Sequence, residues 1–94
     1  MELKWDEAKD AENRRKHGVS LAAAARLNWD GGDYEPDRRR EYGERRWRVK
    51  ALLDGRLHVC VYTLRGSHRR IISLRKANAR ERRNYGNRTA SPDN

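Results

Sequence analysis

The sequence predicts an α+β domain: a small antiparallel sheet of three to four strands, N-terminal helices on one face of it, and a short C-terminal helix. Three observations predict this class. Leu57, Val59 and Val61 alternate with His58, Cys60 and Tyr62, the period of two of a strand, and Gly66-Ser67 separates this run from a second apolar stretch at residues 71–74. Residues 44–53 alternate in the same way and end on Asp54-Gly55, a strong hairpin signal. Residues 6–18 carry the start and stop marks of a helix.

Taken in order, residues 2–5 have the length of an edge strand. Asp6 is a helix N-cap, and Glu7 sits in the first turn, where the dipole favours a negative charge. The helix runs to about His17, with only Ala8 and Ala11 for an apolar face. Lys16 and His17 suit its C-terminal end and Gly18 suits a left-handed cap, so His17 has a structural explanation. Ser20 opens a second helix, with Val19 as a staple and Leu21, Ala24, Ala25 and Asn28 on one face. It ends near residues 27–29. Residues 30–43, with Gly31, Gly32, Pro36 and Gly43, form a loop with room for one short strand. The run from Asp37 to Glu41 reads as a solvated charged segment.

A two-residue loop at Gly66-Ser67 pairs Arg65 with His68, Tyr62 with Ile71 and Cys60 with Ser73. The other hairpin offers two registers. A two-residue Asp54-Gly55 loop puts Trp47 and Val49 on the face of His58 and Tyr62, and Arg48 and Lys50 with Leu57, Val59 and Val61. With the latter taken as the core face, that register buries cations. A three-residue loop, with Gly55 in a bulge position, avoids this and is the expected register. Glu44, Arg46, Arg48, Lys50, His58, Tyr62, Ser73 and Arg75 then share one open face. Cations interleaved with a tyrosine suit RNA: the cations meet phosphates and the ring stacks on a base. Asn78 caps the last helix, Glu81 completes a capping box, and the helix runs to about Tyr85. Residues 1–85 form the single domain and residues 86–94 read as a disordered tail.

The chain has 94 residues, 23 Lys+Arg against 14 Asp+Glu, and a formal net charge of +9. Most of the cations are arginine, whose planar fork suits phosphate. A polyanion is therefore the leading partner class, with an acidic protein the competing one. The single cysteine, Cys60, excludes an internal disulfide and any multi-cysteine metal site, and its place in an apolar strand makes it a packed thiol. No apolar run reaches transmembrane length and no signal-peptide core follows Met1, so a cytoplasmic location is expected. No metal-ligand cluster is visible and no cofactor is expected.

Several motifs then add up to a family. Trp5-Asp6-x-x-Lys9, Asn13 and Lys16-His17-Gly18-Val19-Ser20 resemble the N-terminal signature of the BrnT toxins. Tyr42-Gly43-Glu44-x-Arg46, Val61-Tyr62-Thr63-x-Arg65, Arg70-Ile71-Ile72-Ser73-x-Arg75-x-Ala77 and Glu81-Arg82-x-x-Tyr85 follow in the family's order. The resemblance covers residues 3–85. Leu74 stands where the family usually has Ala, and the segment after Ser20 is richer in alanine.

The resemblance implies a RelE-like fold and a ribonuclease toxin of a type II toxin–antitoxin system. It also implies a BrnA-like antitoxin with a ribbon-helix-helix DNA-binding part, promoter DNA being bound only through the antitoxin complex. RelE-like nucleases cut RNA by attack of a ribose 2′-hydroxyl on the adjacent phosphate, which needs a base, cations and an acid. On that pattern Glu44 is the candidate base and Arg46, Arg65 and Arg75 are phosphate clamps. Arg82 is a further clamp or a leaving-group contact, while Arg48, Lys50 and Tyr62 position the strand. No metal is required. The competing class is a non-catalytic nucleic-acid-binding module using the same face, with Glu44 only an ion-pair partner.

Overall fold

The computed structural model describes residues 1–85; the expected tail at residues 86–94 lies outside them. Strands β1 (Glu2–Lys4), β2 (Asp33–Pro36), β3 (Trp47–Leu53), β4 (Arg56–Arg65) and β5 (His68–Lys76) form one sheet. Helices α1 (Glu7–His17) and α2 (Ala79–Arg83) and two 3-10 turns, Leu21–Arg26 and Trp29–Gly31, complete the chain. The strand order is β1-β5-β4-β3-β2, with β1 parallel to β5 and the other pairs antiparallel. The α+β class holds, but the sheet is five-stranded and mixed, not a three- to four-stranded antiparallel one. The two short segments at the margin of expectation, β1 and β2, both form and become its edges.

Helix α1 is bounded as its sequence dictates. Asp6 accepts the Ala8 N–H at 2.8 Å, and Gly18 closes the helix at φ 73°. What docks it is polar. Buried Asp10 accepts the Leu21 N–H at 2.7 Å and the Ser20 hydroxyl at 3.0 Å. Buried Asn13 donates to the Val19 and Leu74 carbonyls, each at 2.8 Å, and accepts the Leu74 N–H at 3.0 Å. Replacing Asn13 by Ala leaves buried backbone groups without partners, so we expect a loss of about 2–4 kcal/mol. Thermal unfolding of N13A checks this, since each kcal/mol lowers Tm by about 4–8 °C in a domain of this size.

The second expected helix is a 3-10 turn of six residues. Ser20 caps it as expected, accepting the Ala22 N–H at 3.1 Å. It stops because the sheet takes the chain: Leu27 is extended and bridges to Leu53, and the Asn28 N–H donates to the Leu52 carbonyl at 2.9 Å.

Both residues of the Asp54-Gly55 turn have positive φ, 50° and 81°. That is a tight two-residue turn, and it pairs Leu53 with Arg56, Val49 with Cys60 and Trp47 with Tyr62. The bulged register is overturned. At the other hairpin, Arg65 faces His68 and Tyr62 faces Ile71 as expected. A bulge then makes Ile72 the extra residue, so Cys60 faces Leu74 and not Ser73.

The helical layer therefore covers the face of Val49, Ala51, Cys60, Tyr62, Ile71 and Leu74, where Leu21, Ala24 and Leu27 join the core. Burial pushes the Cys60 thiol up to about 12, as befits a packed thiol. On the opposite face Leu57, Val59 and Ala77 form a small second cluster with Tyr85. Strand β4 is thus buried on both sides. Arg48 and Lys50 do lie beside Val61 and Val59, but their stems shield those valines while their charged heads reach out, so no cation is buried.

Candidate active site

The outer face of the sheet is cationic. Across it run Arg48, Val61 and Ser73 in one row and Lys50, Val59 and Arg75 in the next. Glu44 and Arg46 approach from the segment entering β3, and Arg65 ends β4. His58 and Tyr62 are not on this face. The tight Asp54-Gly55 register turns both toward the helical side: the His58 ring nitrogen Nδ1 lies 2.8 Å from the Arg56 carbonyl, and Tyr62 is 0 % exposed. Tyr62 meets the Trp29 ring edge-on at 5.3 Å. The expected role of Tyr62 in positioning RNA is therefore corrected; it is a core residue.

The remaining residues meet in two groups. In the first, Arg65 Nη2 donates to Glu44 Oε1 at 3.0 Å and Arg46 Nε to Glu44 Oε2 at 3.4 Å. The Thr63 hydroxyl donates to the Arg45 carbonyl at 2.7 Å and ties this segment to β4. The Arg65 hydrogen bond, followed by Arg46, holds the Glu44 carboxyl below the usual carboxylate range. Arg46 also lies over the Tyr42 ring, 4.1 Å from its centroid, with Arg40 at 5.1 Å.

Beneath this group lies Asp37, whose side chain is fully buried. It accepts from Arg39 Nε at 2.7 Å and Nη2 at 2.8 Å, and from the Tyr42 hydroxyl at 3.3 Å. The Arg39 guanidinium lowers the Asp37 carboxyl to about 2. Asp37, Arg38, Arg40, Glu41, Tyr42, Glu44 and Arg45 line an open groove of about 350 Å³. The charged run at residues 37–41 is thus a wall of this groove and not merely a solvated segment. Sequence alternation missed it, because its order comes from one buried carboxylate and one ring that no periodicity marks.

In the second group, Arg75 makes a two-pronged contact with Glu81, both arms at 2.8 Å. Glu81 also accepts the Asn78 N–H and donates its own N–H to the Asn78 side chain, each at 2.8 Å, which completes the capping box of α2. Arg82 donates to the Ala77 carbonyl at 3.1 Å, and Arg48 pairs with Glu35 at 3.0 Å. Arg65 lies six positions along β4 from Val59, the partner of Arg75, or about 20 Å of strand. Glu44, Arg46 and Arg65 are brought together; Arg75 and Arg82 stand at the far end of the face. Among the described residues, no group of three or more His, Cys, Asp or Glu is placed to hold a metal ion.

Glu81 is lowered to about 2, first by the Arg75 hydrogen bond. A carboxylate depressed in the folded state stabilises it above the unfolded value of about 4.3, and that contribution fades as pH falls toward 2. We expect Tm to fall between pH 5 and pH 2. Glu81→Gln should lower Tm at neutral pH and flatten the acid limb, read by melting both proteins across that range.

A family model described as "Ribonuclease toxin, BrnT, of type II toxin-antitoxin system" matches residues 5–81. Among solved structures, the crystal structure of the Brucella abortus ribonuclease toxin BrnT is similar to this chain. The TM-score is 0.66 at 24% identity, covering 83% of this chain and 97% of that one. That likeness is one of fold. Among curated proteins none matches.

Proposed function

Because this chain belongs to the BrnT family of ribonuclease toxins of type II toxin–antitoxin systems, we propose that it is a metal-independent endoribonuclease that cuts RNA by 2′-hydroxyl attack on the adjacent phosphate. The observation that carries this reading is the Glu44 carboxylate held between Arg46 and Arg65 at the rim of a cationic sheet face. Glu44 takes the proton of the 2′-hydroxyl as its oxygen bonds to phosphorus, the two guanidiniums face the oxygens that gain charge in the phosphorane, and the P–O5′ bond breaks with the leaving 5′-oxygen taking a proton from water. At rest those cations keep Glu44 ionised and weakly basic. An incoming phosphate draws Arg65 away, which raises the proton affinity of Glu44 when the hydroxyl arrives. Arg48, two residues beyond Arg46 on the same strand and near enough to Glu81 to join Arg75 in lowering its pKa, links this end to the Arg75 end; with Lys50, Arg75 and Arg82 it tracks the flanking phosphates, exchanging Glu35 and Glu81 for phosphate oxygens. The cellular reading is a cytoplasmic, RelE-like toxin that inhibits translation and growth, neutralised by a BrnA-like ribbon-helix-helix antitoxin through which alone it contacts promoter DNA.

The test is incubation of the purified protein with single-stranded RNA in EDTA. Expected are fragments ending in a 2′,3′-cyclic phosphate, and no cut where the ribose before the phosphate is 2′-deoxy. RNA retained intact by the protein would mean a non-catalytic binding module. Cleavage abolished by EDTA and restored by a divalent ion would overturn metal independence.

A further inference from the structure

We propose that Tyr42 is the floor of a base-stacking subsite for unpaired RNA, seating a nucleobase next to the Glu44 carboxylate. This rests on the reading of the Glu44 end as the site of RNA cleavage. The burial of Tyr62 leaves the sheet face without the ring that RNA recognition calls for, and the chain has only seven aromatic residues, three Trp and four Tyr. Tyr34 and Tyr62 are buried, and Trp5, Trp29 and Trp47 pack against the same core. Tyr85 rests on the Leu57 and Val59 cluster, its hydroxyl donating to the Gly31 carbonyl at 2.8 Å. Tyr42 alone of the seven lines the open groove that Glu44 also lines.

Its surroundings suit a base. The hydroxyl donates to Asp37, whose two oxygens Arg39 also holds, so the ring is oriented before any ligand arrives. Gly43, at φ 75°, bends the chain between Tyr42 and Glu44. Nothing lies within 4 Å of where a Cβ would stand, so the glycine is required by the turn and not by crowding. Ring and carboxylate are thus two residues apart on one groove wall, which sets the ribose of a base stacked on Tyr42 beside Glu44. Arg46 and Arg40 stand over the ring, 4.1 and 5.1 Å from its centroid, so a base reaches the ring by displacing a guanidinium, which then meets a phosphate beside that nucleotide. A base inside a duplex presents no free face, so the ligand class is single-stranded RNA.

The experiment uses a fully 2′-O-methylated RNA oligonucleotide carrying 2-aminopurine, which reports stacking by fluorescence quenching and cannot be cut by 2′-hydroxyl attack. Parent and Tyr42→Phe should quench it. Tyr42→Ala should lose the quenching and bind about tenfold or more weakly, the usual effect of removing one base–aromatic stack. Binding of duplex RNA should be the same for all three. If Tyr42→Ala melts below the parent, Tyr42→Leu, which keeps apolar bulk without a ring, decides in its place and should behave like Ala. Quenching that survives in the Ala or Leu variant overturns the subsite, as does a parent that does not quench. Because the probe is not cleaved, quenching without any cleavage of ordinary RNA would sink the nuclease reading and leave the subsite standing.

Discussion

Glu44→Gln lowers the single-turnover rate of RNA cleavage by about 10²–10⁴, the range for loss of a positioned general base, and at the same time tightens RNA binding. The two effects have one origin. A glutamine fills the same space but accepts no proton, and it releases Arg46 and Arg65 from an ion pair at 3.4 and 3.0 Å, leaving both forks open to phosphate. The fold should barely notice: the Arg65 end of the cluster is solvent-exposed, and such pairs contribute roughly 0–1 kcal/mol. Rate, dissociation constant and melting temperature measured on one preparation separate the possibilities. If Glu44→Gln cuts RNA like the parent, Glu44 is only a counterion and the base must be sought elsewhere.

Tyr62→Ala costs about 3–5 kcal/mol of stability, as for other large-to-small changes at buried aromatic sites. Small domains have only about 5–15 kcal/mol in total, so this variant should be partly unfolded near body temperature. The ring is 0 % exposed, meets Trp29 edge-on, and has Arg69 over both rings, 5.7 Å from its own centroid and 3.9 Å from that of Trp29. Removing it opens a cavity that three neighbouring elements share. Tyr62→Phe keeps the ring and should bind RNA with the parent's affinity. Denaturant unfolding with a salt-matched RNA titration tests both statements; a stable Tyr62→Ala that has lost RNA affinity would return Tyr62 to the binding face.

Much of the fold was legible because local chemistry decided it. The Asp6 and Asn78 caps, the Gly18 terminator, the Glu81 capping box and the tight Gly66-Ser67 turn lie where their residues place them. The register of β3 on β4 was misread for a specific reason. Burial of Arg48 and Lys50 looked prohibitive only if the valine face lay under the helices, whereas the helices cover the Cys60 and Tyr62 face. A strand buried on both sides shows no unique inner face in its alternation. The bulge at Ile72 leaves no trace in the sequence, and it shifts Ser73 and Leu74 by one position. The docking of α1 was invisible to any search for apolar periodicity, since Asp10 and Asn13 do it with hydrogen bonds. Of the candidate site, Glu44, Arg46 and Arg65 converge, Arg75 and Arg82 stand apart, and Tyr62 leaves the face altogether.

The Asn13 amide has a meaning beyond its hydrogen bonds. Strand β1 pairs with β5 only as far as Arg70, so among the described residues no strand neighbours the outer margin of β5 beyond that point. By both donating to and accepting from Leu74, Asn13 occupies the two backbone groups that an incoming strand would use. It acts as a one-residue surrogate strand, and α1 becomes a guard along a margin that would otherwise template pairing between molecules. On this account N13A fails by self-association as well as by melting. Light scattering of that variant should rise with concentration at temperatures where its secondary structure is still intact.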